Sequence, residues 1–122
     1  MRIITSLDCT EMINTIYSRF PFKNKAQLLR IALSKSLKIS NFINIDFKLS
    51  RNGFEINSDT LFAHQIELYL TLISYKYEMN NLMDSSLNDI ITFHIEDGIQ
   101  IIYDEMKYLK SDIDFIKFLK EN

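Results

Sequence analysis

Arg19, Lys23, Lys25, Arg30, Lys35 and Lys38 follow one another between Glu11 and Asp46 with no Asp or Glu among them. A run of cations free of neighbouring carboxylates suits an anionic partner, and a nucleic-acid phosphate backbone is the natural candidate. On a helix, Lys23, Gln27, Arg30, Ser34 and Lys38 recur every three or four residues, forming one polar stripe opposite Leu29, Ala32, Leu33 and Leu37. Amide N–H groups at the start of that helix, near Asn24 and Lys25, add a second element for an anion. Such contacts fix position on a duplex without reading bases, and only Arg2 and Gln27 are evident candidates for base readout. Binding without sequence specificity is therefore the expectation, with a merely solvated face as the plain alternative.

Little else in the chain points to catalysis. His94 and Asp97 lie at helical i, i+3 spacing, but one histidine beside one acid is a poor ligand set, and His64 is remote in sequence. A packing role for His94 is the better expectation, and neither a metal nor a cofactor is expected. Thiolate chemistry at Cys9 would need an exposed, basic setting, whereas it shares an apolar stripe with Met12, Ile13 and Ile16. A small buried core residue is the better reading. Gly98, inside a helical pattern, costs about 1 kcal/mol relative to Ala, which suggests close approach of another helix. There is no Gly-rich phosphate loop and no Gly-x-Ser-x-Gly element, so an enzyme is not expected.

The elements that position these residues follow from periodicity and punctuation. With 122 residues, 47% of them hydrophobic, one domain spanning 1–122 is expected. Only 2 Gly and 1 Pro disfavour an all-β fold, and the single cysteine rules out an internal disulfide. No apolar run is long enough to cross a membrane and no secretory signal opens the chain, so a cytoplasmic setting is expected. The net charge of −2 conceals segregation: residues 1–52 hold +6 and the remainder −8. The basic half is where an anionic partner belongs.

Arg2 to Thr5 reads as a short strand, and Ser6 or Asp8 as the cap of a helix that ends before Pro21. Asn24 caps a second helix through about Lys38. The pair Asn52-Gly53 suits a tight turn with positive φ, predicting a small hairpin of Phe47–Leu49 with Phe54–Ile56. From Ser58 a long, widely apolar helix runs to Tyr77 and looks central. Ser86 with Asp89 opens another long helix, and Ser111 with Asp114 a short last one. The expected fold is mainly α: a ribbon-helix-helix-like strand-helix-helix, a small β-hairpin, two long helices and a short C-terminal helix.

Three stretches resemble the DndE family of DNA sulfur modification proteins. Arg30-Ile31-Ala32-Leu33-Ser34-Lys35-Ser36-Leu37 is similar to the family's Arg-x-Ala-x-x-x-Ser-Leu helix. The run Phe54 to Leu61 is similar to its Glu-Phe-x-x-x-Thr-Leu stretch, and His94 with Gly98 to its late His-x-x-x-Gly element, where Glu96-Asp97 replaces a frequent basic residue. The resemblance implies a homotetrameric accessory protein of DNA phosphorothioation that binds duplex DNA, nicked duplex in particular, beside sulfurtransferase and ATPase subunits. A ribbon-helix-helix repressor is the runner-up reading, and a protein-interaction adaptor without DNA binding the third.

Overall fold

A computed structural model describes residues 1–40, 50–77, 84–108 and 112–120. The order is β1 (Arg2–Ile4), α1 (Leu7–Arg19), α2 (Lys25–Ile39), β2 (Glu55–Asn57), α3 (Ser58–Phe62), α4 (Ile66–Tyr77), α5 (Asp84–Tyr108) and α6 (Asp112–Lys120). The strand-helix-helix opening and the helical remainder agree with the sequence pattern.

β1 and β2 pair antiparallel with Ile3 opposite Ile56, and both side chains are buried. Backbone bonds continue the ladder on either side, from Ser58 N to Met1 O and from Thr5 N to Phe54 O. The second arm of the expected hairpin thus pairs with the N-terminal strand; its first arm, Phe47–Leu49, lies outside the described residues. The positive-φ turn at Asn52-Gly53 is corrected too, because neither residue has positive φ. Gly53 serves close approach instead: a Cβ there would stand 2.4 Å from Ser6 O and 2.1 Å from Thr10 Oγ1.

Ser6 caps α1 by accepting from Cys9 N, and Phe20 leaves it in extended geometry, as a residue before proline must. Asn24 caps α2 by accepting from Gln27 N. The long helix expected from Ser58 to Tyr77 is broken into α3 and α4. Ala63 adopts φ 52°, and Gln65 N bonds to Phe62 O. Arg30 Nη1 donates to Leu61 O at 2.7 Å, the carbonyl an unbroken helix would offer to Gln65 N. The break thus coincides with a tertiary contact, and no Gly or Pro marks it in the sequence.

The central helix is α5, not the segment after Ser58. It presents Ile90, Ile91, Ile95, Ile99 and Ile102, all fully buried, and packs on α1, α2 and β1. Gly98 lets α2 come against it, since a Cβ would lie 1.9 Å from Ala32 O. The packing role expected of this glycine is what the structure shows. The helix starts at Asp84, ahead of the expected cap at Ser86. By contrast α4 buries only Tyr69 and Ile73 and leaves Leu68, Leu72 and Tyr75 exposed.

Candidate nucleic-acid interface

α2 distributes the six candidate cations over three environments. Lys23 and Lys25 stand at its N-terminal end, where Lys25 Nζ donates to Asn14 Oδ1 at 2.8 Å and lies 5.2 Å from the Phe54 ring centroid. Arg19, at the end of α1, faces the Phe20 ring at 5.3 Å. Lys23 and Lys38 are exposed, at opposite ends of the helix. Arg30 and Lys35 occupy the middle, on the side where α3, α4 and α6 approach.

Lys35 departs from the exposed position expected of a phosphate-contacting cation. It is only 3% exposed, its ammonium donates to Phe118 O, and it lies 4.1 Å from the Phe118 ring centroid. The physical reason is spacing: Lys35 falls three residues after Ala32 and seven after Leu28, both buried, and α6 covers it. The free amides expected at the start of α2 are also partly engaged. Asn24 Oδ1 takes Gln27 N–H and Gln27 Oε1 takes Lys23 N–H, each at 2.8 Å, which leaves that end less open to an anion.

A polar network behind the face fixes α2. Ser36 Oγ donates to Asp97 Oδ2 at 2.6 Å, so it accepts from His94 Nδ1 at 2.7 Å; Tyr77 OH then donates to His94 Nε2 at 2.7 Å. Only one neutral tautomer satisfies all three bonds. Burial pushes the His94 pKa down from 6.5 to about 4, the nearby Lys76 adds to the shift, and Asp97 opposes it. Lys76 Nζ donates to Leu37 O and Ser40 O, placing a cation at the C-terminal end of α2, where the helix dipole favours it. The Ser40 hydroxyl donates to Asp97 as well.

The acids that stand in place of basic residues are both engaged in holding the fold. Glu96 accepts from Ser6 N at 3.0 Å and Ser6 Oγ at 2.8 Å, tying α5 to the start of α1, while Asp97 binds the serines of α2. Cys9 is buried, and burial with the Glu96 charge raises its thiol pKa, the reverse of what a sulfur acceptor needs. His64 is exposed between α3 and α4, and among the described residues no group of three or more His, Cys, Asp or Glu could hold a metal ion. Sequence reasoning missed Lys76, Gln65 and Tyr69. The Tyr69 hydroxyl meets Ser34 at 3.1 Å, a tertiary contact that helical periodicity does not reveal.

The family model described as DNA sulphur modification protein DndE matches residues 2–110, from β1 through the whole of α5. The chain belongs to the DndE family. DndE membership gives it a role in DNA phosphorothioation. No curated protein matches the chain. All six candidate cations fall within the DndE-matched stretch, whereas α6, which covers Lys35, lies beyond it. Among the described residues no helix is long and apolar enough to cross a membrane.

Proposed function

We propose that the protein is a non-catalytic, cytoplasmic accessory component of DNA phosphorothioation that binds duplex DNA, nicked duplex included, through backbone phosphates and without sequence specificity. The observation that supports this reading best is the outer face of α2, a helix whose sequence holds no carboxylate, with Arg30 and Lys38 in the helix and Lys23 just ahead of its cap Asn24. Arg19 and Lys25 flank it. Lys35, buried under α6 and bonded to Phe118 O, is set back from this face. Arg51 is not part of it, because its guanidinium is bound to Asn88 and Asp89 of α5.

The family role adds sulfurtransferase and ATPase subunits as working partners, and a homotetramer as the assembled form. The exposed stripe of Leu68, Leu72 and Tyr75 on α4 supports self-association, since residues at i, i+4 and i+7 line one helix face. A repressor in which N-terminal strands pair between chains is less favoured, because β1 forms its ladder with β2 of the same chain.

Duplex binding measured across a salt series tests the reading. Each phosphate neutralised contributes a slope of roughly −0.9 in log K against log salt. Replacing Lys23 or Lys38 by Ala is expected to weaken binding modestly on unrelated sequences and to flatten the slope by about one unit each. Lys107→Ala, Lys117→Ala and Lys120→Ala in the acidic half are expected to do much less. A folded variant lacking Lys23, Arg30 and Lys38 that keeps full affinity and slope would remove α2 from the interface.

A further inference from the structure

A cavity of about 360 Å³ opens beside α2, lined by Gln27, Arg30, Ser34 and Lys35 of that helix, with Gln65 and Tyr69 facing them. We propose that this cavity is an oxyanion site that binds a phosphate ester of about one nucleotide's size. Arg30 supplies the principal charge. Its contact with Leu61 O uses one of five guanidinium N–H groups on a neutral acceptor, so its positive charge is not cancelled there.

The polar groups around Arg30 are biased toward donation. Ser34 Oγ and Tyr69 OH lie 3.1 Å apart, and whichever donates to the other leaves the second hydroxyl proton for a ligand. Gln27 Oε1 accepts from Lys23 N, which turns the side-chain NH₂ into that amide's remaining polar group. Lys35, whose ammonium is held by Phe118 O, lines the wall as well, and no Asp or Glu is among the described lining residues. A donor-rich wall with a guanidinium favours an acceptor-only ligand, and charge-assisted bonds to phosphate are the strong ones. The volume lies at the low end of the roughly 300–1,000 Å³ of small-molecule pockets and exceeds the needs of a lone oxyanion. Leu119 of α6 gives an apolar lip for the organic part of an ester.

The phosphate could belong to a free ester or to a bound DNA strand. The site shares Arg30 with the duplex-binding reading but does not depend on it, and the experiment separates the two. Full-length protein is titrated with dAMP, inorganic phosphate and uncharged deoxyadenosine at constant ionic strength, following thermal stability and the ³¹P signal. The expected result is saturable dAMP binding with a Kd of about 1 mM or tighter, weaker phosphate binding and no effect of deoxyadenosine. Arg30→Gln is expected to weaken dAMP by about tenfold, and Tyr69→Phe, which keeps the ring and the fold, by a few-fold, each of the order of one lost hydrogen bond. Lys107→Gln, outside the cavity and away from α2, is expected to change nothing. Absence of saturable dAMP binding, or equal losses in Tyr69→Phe and Lys107→Gln, overturns the site. Competition between dAMP and duplex assigns the ester to a DNA strand; dAMP binding unaffected by duplex assigns it to a free ligand, even if duplex binding itself fails.

Discussion

His94 sits between two hydroxyl groups that its neutral ring satisfies, so its protonation works against the folded state. The folded pKa of about 4 lies below the ordinary 6.5, and the unfolded chain therefore binds more protons between these values. The stability held above about pH 6.5 is lost as pH falls toward 4, up to about 3 kcal/mol at about 1.4 kcal/mol per pH unit. Urea denaturation at about pH 7 and about pH 5 is expected to show this loss, and the same pair of measurements on His94→Gln to show a smaller one. A wild-type stability that does not change over this range would refute the neutral network. Gly98→Ala forces a methyl group onto the Ala32 backbone 1.9 Å away, so a loss of about 1–3 kcal/mol or more is expected in the same denaturation assay. Cys9→Ser places a hydroxyl at a 1% exposed site and is expected to cost about 1–3 kcal/mol of stability. DNA sulfur incorporation by the folded variant should persist, and its complete loss would show that the thiol takes part.

At the scale of elements, the interruption between α3 and α4 has a measurable consequence. Ala63 holds φ 52° and ψ −114°, a conformation that glycine adopts freely and alanine does not. Ala63→Gly is therefore expected to stabilise the protein by about 1 kcal/mol in thermal or urea unfolding. A destabilisation of similar size would mean that the segment follows alanine's preference for helix. This break was illegible in the sequence because alanine is the best helix former and no Gly or Pro marks the place; the competing acceptor for Arg30 lies thirty-one residues away in sequence. The caps at Ser6 and Asn24 were legible because their bonds are local. So was Gly98, whose cost within a helix signalled a close neighbour. Lys35 was misplaced because helical spacing gives a face but does not say that α6 folds over its edge. Tyr69 and Gln65 joined the cavity through tertiary packing, for which periodicity has no term.

For the whole molecule, the exposed apolar stripe on α4 predicts association. Light scattering at micromolar concentration is expected to report a homo-oligomer, and Leu72→Glu, at a residue 46% exposed, to shift it toward monomer without unfolding. A wild-type monomer would remove the stripe from consideration as an interface. Below that surface, α2 is fastened along its length: by Arg30 to Leu61, by the Ala32 backbone to Gly98, and by Ser36, Leu37 and Ser40 to Asp97 and Lys76. A helix so fastened does not need to order itself when a ligand arrives. Calorimetry should then separate two kinds of docking, because a segment that folds on contact gives a large negative heat-capacity change, whereas phosphates meeting a finished surface bury little apolar area. For this protein, duplex association is expected to be driven mainly by the entropy of displaced counterions, with an enthalpy that changes little with temperature.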